Sequence, residues 1–412
     1  MNLYDEHAAI NHVKSLGFKR YAATDGETKT INYILKELDK KNLDAKLESF
    51  EWTKTSSKLR KLFFLSIFTV NIIIEILLLY PTFIWIILPL YGLFFLTLIF
   101  GGKYAFEYSK IIFLGKKRTS KNVIVTIQAK DLYPKRPVII FSAHHDSVSS
   151  NLPYKVMKPL YLSMVLFLII SLLTNLILSF WSILALFTAI DINIIYVWIR
   201  NLSLIIGIIL LTEIFINFFR KKTNDSIGSI DNASGVAILL ELAKLIKQYP
   251  LEKTDVIFLW SGAEEMGIWG TKQYFSKHFE ELDYDYDLNN SYNINIDKVG
   301  TYIGLIEETG LFKKKKLNDN LNDVLKASDT QQKMVFESPK MVLGTGSDYL
   351  IFHTLTKKAE KNGFQVSCFL SNNDSKYVHS KKDIPDLCSA DNLNGCIDIC
   401  YNAIRSLDLR VE

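Results

Sequence analysis

Two long apolar blocks interrupt this 412-residue chain and restrict what it can fold into. The first block, 62–100, has Glu75 as its only formally charged residue. The second block, 159–219, contains three charged residues, which are Asp191, Arg200 and Glu213. A helix that crosses a bilayer needs about 20 predominantly apolar residues, and a single domain rarely buries apolar runs of this length. Both blocks are therefore expected to lie in a membrane.

The two blocks predict different numbers of membrane crossings. The first divides at Tyr80-Pro81 into two pieces of about 19 residues, which predicts a helical hairpin over 62–100. The second, at about 60 residues, could form about 90 Å of helix, enough for three crossings by length alone.

The rest of the chain, 1–61, 101–158 and 220–412, is predicted to form one domain. Residues at 233–247 have apolar side chains at helical spacing, and 43–52 alternates apolar and polar residues as a strand does. Further short β-rich runs occur at 122–128, 137–142, 255–260, 292–296 and 364–370. Alternating strands and helices predict the α/β class, as a three-layer α/β/α sandwich around a mixed, mostly parallel sheet.

Composition excludes several classes of protein. With 49% hydrophobic and 22% charged residues, the chain is neither disordered nor fibrous. Its net charge of +5 is spread along the sequence without a basic helix, so no nucleic-acid partner is expected. The four cysteines form no C-x-x-C pair, which argues against a disulfide framework.

Polar motifs follow the predicted strands, where open α/β sheets bind their ligands. After the run 137–142 come His144 and Asp146, whose spacing of two puts both side chains on one side of an extended chain. Asp231 stands in the turn that opens the helix over 233–247, where the ordinary interpretation is an N-cap carboxylate.

The remaining motifs are one acidic pair, one single carboxylate and one loop histidine. Glu264 and Glu265 follow the run 255–260, and adjacent buried carboxylates are costly unless a cation or a shared proton relieves them. Asp297 ends the run 292–296, and His379 lies in a Ser/Asn/Asp-rich loop. Singly, these residues are explained by a solvated turn, a turn former and a solvated histidine.

Together, two histidines and three carboxylates make a nitrogen and oxygen ligand set that suits zinc. The five candidate ligands are His144, Asp231, Glu265, Asp297 and His379. An odd number of carboxylates allows one to bridge two ions. Glu264, beside Glu265, then remains as a candidate general base.

In their order and on these elements, the motifs resemble the di-zinc aminopeptidases of metallopeptidase clan MH, family twenty-eight, kin of glutamate carboxypeptidase and glutaminyl cyclase. The resemblance runs from about Thr24 to the C-terminus outside the apolar blocks. The matching segments are His144-His145-Asp146, Asp231-Asn232-Ala233-Ser234-Gly235, Glu264-Glu265-Met266-Gly267, Asp297, Ser347-Asp348 and His379.

The resemblance implies a role for each ligand. It implies that His144 and Asp297 bind one zinc ion and that Glu265 and His379 bind the other. It also implies that Asp231 bridges the two ions.

It further implies that Glu264 is the general base, that Asp146 orients the first metal-binding histidine, and that the Asp231–Asn232 peptide bond is cis. Two departures stand out: Ile230 occupies a position where many members have aspartate, and Gly344-Thr345-Gly346 occupies a stretch where some members have a tyrosine. The group that stabilises the oxyanion is therefore not assigned.

If His144 and Asp231 bind the same ion, the chain must cross the membrane an even number of times between them. We therefore expect the middle of the second block, 181–199, to be interfacial or re-entrant. Basic residues at the flanks, such as Lys61, Lys103 and Arg220, predict a cytoplasmic catalytic side in a multi-pass cell-membrane protein.

The predicted function is a membrane-anchored zinc exopeptidase, an aminopeptidase that hydrolyses N-terminal peptide bonds through a zinc-activated water. A catalytically inactive scaffold of the same fold is one alternative, but every ligand position holds a competent residue. A glutaminyl-cyclase-like acyltransferase is another, although 232–235 is more typical of peptidases. The expected partners are a peptide substrate and the lipid bilayer.

Overall fold

The computed structural model describes residues 5–102, 110–152, 154–188, 194–310, 314–338 and 346–411. Lys103, Asp191, Gly344 and Thr345, which entered the sequence argument, lie outside the described residues. The chain divides into two compact units. The sheet unit comprises Met1–Lys54, Tyr108–Tyr154 and Lys222–Glu412, and the helical unit comprises Thr55–Glu107 and Lys155–Lys221.

An eight-stranded mixed sheet forms the centre of the sheet unit. In chain order the strands are β1 (Ala45–Trp52), β2 (Arg118–Ile127), β3 (Val138–His144), β4 (Asp255–Ser261), β5 (Tyr292–Ile296), β6 (Ile303–Ile306), β7 (Met334–Glu337) and β8 (Gln365–Phe369). In space the order is β1-β2-β4-β3-β5-β8-β6-β7. The four central strands β4, β3, β5 and β8 are parallel. On one side β2 is antiparallel to β4 and β1 is antiparallel to β2, and on the other side β6 is antiparallel to β8 and β7 is parallel to β6. The predicted fold class is confirmed.

Helices cover both faces of this sheet. The labels α3 to α6 belong to helices of the helical unit, described below. In chain order the helices on the sheet are α1 (Ala8–Ser15), α2 (Asp25–Asp39), α7 (Ser234–Gln248), α8 (Trp269–Asp285), α9 (Leu321–Ser328), α10 (Tyr349–Lys358) and α11 (Ala390–Asp408). Along β3, Phe141 packs into a core with α1, α2, α7, α9 and α11, whereas Ile140 packs into a core with α8 and α10. All of β3 is buried, as expected for a parallel strand covered on both faces.

A short antiparallel ladder lies where the chain leaves and re-enters the sheet unit around the second apolar block. Ser149 pairs with Thr223, and Ser150 pairs with Lys222. The backbone N–H of Ser150 also donates a hydrogen bond to the carbonyl of His379 at 3.1 Å.

The helical unit contains four long helices: α3 (Thr55–Leu77), α4 (Ile84–Leu96), α5 (Tyr154–Phe187) and α6 (Ile194–Phe218). A short turn of 3-10 helix, Pro81–Phe83, separates α3 from α4, and a π-helical turn, Thr97–Gly101, extends α4. Among the described residues, three segments are long and apolar enough to cross a membrane: Ile84–Gly101, Pro159–Phe187 and Ile194–Phe218. Helix α3 is not one of these three segments, and it carries Lys58, Arg60, Lys61 and Glu75.

The segment 181–199, expected to be interfacial or re-entrant, does not form a separate element in the described residues. Residues up to Phe187 continue α5 without a break, and residues from Ile194 already belong to α6. The physical reason is that the apolar, helix-forming sequence of α5 continues through 181–187, so nothing in it ends the helix. The second block therefore holds two long helices in its described residues.

Candidate metal centre

His144 is the last residue of β3, at the carboxyl edge of the parallel strands. Its ring is buried, and Nδ1 lies 3.1 Å from the backbone carbonyl oxygen of Asp146 and 3.5 Å from its carboxylate. These contacts orient the ring so that Nε2 lies 3.0 Å from Asp231 Oδ1 and 3.6 Å from Asp297 Oδ1. An acceptor at Nδ1 favours the tautomer that leaves Nε2 free to bind a metal.

Asp146 also holds the loop that carries the two adjacent glutamates. Its carboxylate accepts hydrogen bonds from the backbone N–H groups of Glu264, at 3.0 Å, and Glu265, at 3.3 Å. One carboxylate therefore contacts both the first histidine and the acidic loop, which extends the orienting role that the resemblance implies.

Glu264 and Glu265 point to different neighbours, although they are adjacent in sequence. Glu264 Oε2 lies 3.9 Å from Nε2 of His144, and Glu265 Oε1 lies 2.7 Å from Nε2 of His379. The loop turns through Ala263, whose φ of 52° is in the left-handed region. Such strained backbone commonly occurs at functional sites. Lys222, from the short ladder, donates a hydrogen bond to the carbonyl of Glu265.

Asp231 lies between the two histidines. Its Oδ1 is 3.0 Å from Nε2 of His144, and its Oδ2 is 3.3 Å from Nε2 of His379. Helix α7 begins only at Ser234, and Asp231 is not its N-cap, so the ordinary N-cap interpretation is wrong. The Asp231–Asn232 peptide bond is cis, as the resemblance implies.

Asp297 directly follows β5 and is held by a hydrogen bond from its N–H to the carbonyl of Phe369, at 2.9 Å. The next residue, Lys298, has a φ of 80° and turns its ammonium back toward the acidic residues. Lys298 Nζ lies 3.4 Å from Asp297 Oδ2 and 3.8 Å from Asp231 Oδ2. No sequence motif indicates a role for this lysine.

Two groups of ligand atoms therefore meet at the carboxyl edge of the sheet. One consists of His144, Asp231 and Asp297, and the other of Asp231, Glu265 and His379; within each group the ligand atoms lie within 4.8 Å of one another. All five predicted ligands belong to these groups, and Asp231 belongs to both. Oδ1 of Asp231 and Oδ1 of Asp297 are buried and accept no hydrogen bond from the described residues. Buried oxygens of this kind, beside imidazole nitrogens, fit a zinc ion.

The ionisable groups of the site shift one another's pKa values. Burial would lower the pKa of His379, but the Glu265 and Asp231 carboxylates raise it to about 9. Burial would raise the pKa of Asp231, but Lys298 and the two histidines hold it well below its usual range. For Glu264, burial and the neighbouring carboxylates raise the pKa well above its usual range, although His144 opposes them.

Three buried residues support the site without having been assigned a role from the sequence. Asp383 accepts hydrogen bonds from the N–H groups of Ile230, at 2.6 Å, and Asp231, at 3.2 Å. Arg20 donates to the carbonyl oxygens of Ile227 and of Gly228, and the Gly228 contact is 2.8 Å. Both therefore fix the loop that carries Asp231. Neither residue belongs to one of the sequence motifs, so no spacing signal could have identified it.

Asp348 is the third supporting residue, and it lies in the Ser347-Asp348 segment noted from the sequence. Its carboxylate accepts hydrogen bonds from the hydroxyls of Ser261, at 2.6 Å, and Thr271, at 2.5 Å. Burial raises the pKa of Asp348 to about 6. These contacts join the end of β4 to the start of α8, on either side of the glutamate loop.

Comparisons with known proteins identify a family model and relatives that resemble this chain. The sequence model of peptidase family M28 matches residues 217–404. Aminopeptidase YwaD from Bacillus subtilis is 33% identical over 127 residues, which are 31% of this chain and 26% of that protein. The match thus spans about a quarter of that relative's length.

Solved structures share the fold at low sequence identity. An aminopeptidase from Aneurinibacillus sp. strain AM-1 has a TM-score of 0.54 and 15% identity, over 97% of this chain and 93% of that one. A zinc aminopeptidase from Bacillus subtilis has a TM-score of 0.52 and 14% identity, over 98% and 95%. A glutaminyl cyclase from Fimbriiglobus ruber has a TM-score of 0.55 and 12% identity, over 98% and 96%.

Proposed function

The chain contains a peptidase family M28 domain, and on this premise we propose that it is a membrane-anchored, zinc-dependent aminopeptidase. The observation that carries the proposal is that the five candidate ligands form two groups sharing the carboxylate of Asp231. A single shared carboxylate between two nitrogen and oxygen ligand groups is the arrangement expected for a pair of zinc ions.

In this proposal His144 and Asp297 would hold one zinc ion and Glu265 and His379 the other, with Asp231 available to both groups. Zinc bound in such a site polarises a carbonyl oxygen and lowers the pKa of a water molecule. Asp146 fixes the position of His144 relative to the loop that carries Glu264 and Glu265, since its carboxylate contacts both.

Glu264 is the proposed general base. It is buried, is not a member of either ligand group, and lies 3.9 Å from Nε2 of His144. A buried carboxylate beside a metal-binding site, but outside the ligand set, is placed to exchange a proton with a water molecule. Glu264 would accept a proton from the attacking water and pass it to the leaving amine.

The membrane part is proposed to cross the bilayer four times. One excursion leaves the sheet unit after Lys54 and returns at Tyr108, and the other leaves after Tyr154 and returns at Lys222. Because each excursion begins and ends in the same compact unit, each must cross an even number of times. We therefore include α3 with the three more apolar segments, although it carries four charged residues.

The basic flanks of these helices support a cytoplasmic sheet unit by the positive-inside rule. Lys61, near the start of α3, donates hydrogen bonds to the carbonyl oxygens of Phe218 and Arg220, each at 2.9 Å. The first and last helices of the unit therefore share one basic end.

The deciding experiment uses the full chain purified in detergent with zinc. Peptides with a free N-terminus are expected to lose their first residue, whereas the same peptides with an acetylated N-terminus are expected to resist. Release of ammonia from an N-terminal glutamine peptide without peptide cleavage would instead indicate a cyclase. If the protein with zinc fully bound neither removes the first residue nor releases ammonia, both enzymatic functions are contradicted.

Sidedness is tested separately in sealed vesicles of known orientation. A protease added outside is expected to cut the sheet unit only in inside-out vesicles. Cutting only in right-side-out vesicles would place the sheet unit outside the cell and contradict the orientation.

A further inference from the structure

The helical unit buries a carboxylate that the proposed peptidase chemistry does not use. Glu75 lies near the end of α3 and is only 4% exposed. It was the one formal charge of the first apolar block. An ionisable residue inside an apolar helical bundle is unfavourable to maintain, and its presence calls for a functional explanation.

Neutral side chains from three helices surround this carboxylate. Glu75 Oε1 accepts hydrogen bonds from Asn71 at 3.3 Å, from Ser203 at 3.4 Å, and from Ser171 at a shorter distance. Asn175 joins the group through Ser203, whose hydroxyl donates to its amide oxygen at 2.9 Å. Asn71, Ser171, Asn175 and Ser203 are each at most 2% exposed. We call these four residues and Glu75 the bundle cluster.

The bundle cluster concentrates oxygen atoms in one buried place. It offers the carboxylate of Glu75, the hydroxyls of Ser171 and Ser203, and the amide oxygens of Asn71 and Asn175. Oxygen ligands of this kind bind hard cations. Only one of the ligands is charged, so the set compensates a single positive charge, whereas protein sites for divalent cations commonly use several carboxylates.

The backbone at Gly207 on α6 makes room for the second carboxylate oxygen. A Cβ atom built on Gly207 would lie 1.9 Å from Glu75 Oε2, so that any larger residue would displace the carboxylate. Helix α6 therefore contributes two features to the cluster: the hydroxyl of Ser203, and the space that Gly207 leaves for the Glu75 carboxylate.

We propose that the bundle cluster is a binding site for a small monovalent metal cation, with sodium as its test ion. The argument is one of charge balance. The contacting groups of Glu75 are uncharged hydrogen-bond donors that can reorient, and the hydroxyls and amide oxygens can turn from the carboxylate to a cation without changing the helices. A bound cation would neutralise the buried charge that these neutral groups only solvate.

The test measures thermal unfolding of the full chain in detergent at fixed pH and fixed ionic strength. Sodium chloride replaces choline chloride stepwise, because choline is too large for the cluster. A ligand that binds only the folded state raises the midpoint in a saturable manner. We expect such a rise for the wild type and none for Glu75→Gln. Equal midpoints in the two salts for the wild type would overturn the proposal and indicate a neutral, protonated carboxyl group.

Matched variants separate the bundle cluster from a general salt effect. Glu213→Gln removes the carboxylate of α6 that lies outside the cluster, and it is expected to keep the full sodium response. Ser203→Ala is expected to raise the half-saturating sodium concentration by about tenfold, the order of one lost contact to a charge. Thr212→Ala, on the same helix, removes a hydroxyl that donates to the carbonyl of Ile208 and lies outside the cluster, and it should leave this concentration unchanged.

Direct binding keeps the test decisive if Glu75→Gln does not fold. Equilibrium dialysis of the wild type against radioactive sodium should give one bound ion per chain, with weaker binding in Ser203→Ala than in Thr212→Ala. Absence of bound sodium, or equal binding by the two variants, would contradict the site. Neither measurement uses peptidase activity, so this proposal and the proposed function can fail independently.

Discussion

The sheet unit and the helical unit both bury carboxylates, but they stabilise them differently. At the sheet edge, Asp231, Asp297 and Glu265 lie against two histidines and the ammonium group of Lys298. In the helical unit, Glu75 is held by serine and asparagine side chains. The first site therefore groups several ionisable side chains, whereas the second surrounds a single carboxylate with uncharged hydrogen-bond donors.

The two sites also differ in the backbone that builds them. The sheet-edge groups come from loops after separate strands, and Ala263, Lys298 and His379 there have positive φ. The bundle cluster instead follows helical spacing: Asn71 and Glu75 are four residues apart, as are Ser171 and Asn175. Residues four apart share one helix face, so regular helices suffice to assemble this cluster.

The largest expected effect is on catalysis at the sheet edge. Glu264→Gln keeps the size of the side chain but removes its ability to take a proton, so kcat should fall by about a thousandfold. Zinc content should stay the same, because Glu264 belongs to neither ligand group. Peptide hydrolysis and metal analysis on one preparation check both statements; a variant that keeps a tenth of the activity would show that another group is the base.

The second prediction tests whether the carboxylate of Asp231 is shared by the two ligand groups of the sheet unit. Asp231→Asn should lower zinc binding at both positions, whereas His379→Ala should lower it at one. Metal analysis after dialysis against a weak chelator distinguishes two, one and no ions per chain. Equal zinc content in these two variants would mean that Asp231 does not bridge. Glu75→Gln provides the control, because it lies in the other unit and should keep both ions.

The third prediction concerns packing in the helical unit. Gly207→Ala should lower stability by about 1–3 kcal/mol, since its Cβ would lie 1.9 Å from Glu75 Oε2. Gly92→Ala is the matched change, because nothing lies within 4 Å of its Cβ, and it should be neutral or slightly stabilising. Thermal unfolding in detergent compares the two; similar midpoints would contradict the close approach of Glu75 to α6.

The smallest expected effect is a pH dependence in the sheet unit. Burial raises the pKa of Glu27 from 4.5 to about 7, although hydrogen bonds from Ser120 and Ala23 oppose this. Between these pH values the unfolded chain loses a proton that the folded chain keeps, so Glu27 makes stability fall as pH rises from 4.5 to 7. The total change is at most about 3 kcal/mol.

Glu27→Gln should remove this contribution, so the stability of the variant relative to the wild type should increase as pH rises. Thermal midpoints from pH 5 to 8 measure the difference. Asp39→Asn, an exposed carboxylate on the same helix, should follow the wild type at every pH. A constant difference between Glu27→Gln and wild type would contradict a raised pKa.

The sequence predicted the parts of the fold that periodicity governs. The runs at 137–142, 255–260 and 292–296 are buried strands in the structure, and the helix over 233–247 is α7 with its bounds shifted by one residue. Strands β6 and β7 were missed because each is four residues long, too short for a periodic signal.

The candidate site was predictable in its residues but not in its geometry. His144, Asp231, Glu265, Asp297 and His379 were all named from the sequence, because ligand-type residues followed strands and matched known motifs. Lys298, Arg20 and Asp383 were missed, because their roles come from loop conformations that bring them to the site. The helical unit shows the same limit: Glu75 was visible as a charge, but its partners on α5 and α6 depend on helix packing.

The short ladder of Ser149–Ser150 with Lys222–Thr223 has a consequence for protein engineering. It pairs the two ends of the second excursion with each other, as the strands of a hairpin pair beside their loop. The same ladder contacts two of the candidate ligands, since Ser150 donates a hydrogen bond to the carbonyl of His379 and Lys222 donates one to the carbonyl of Glu265. A derivative without the second excursion should therefore keep both strands of the ladder and replace the residues between Ser150 and Lys222 with a tight turn. Removing the ladder itself would remove the contacts that position His379 and Glu265.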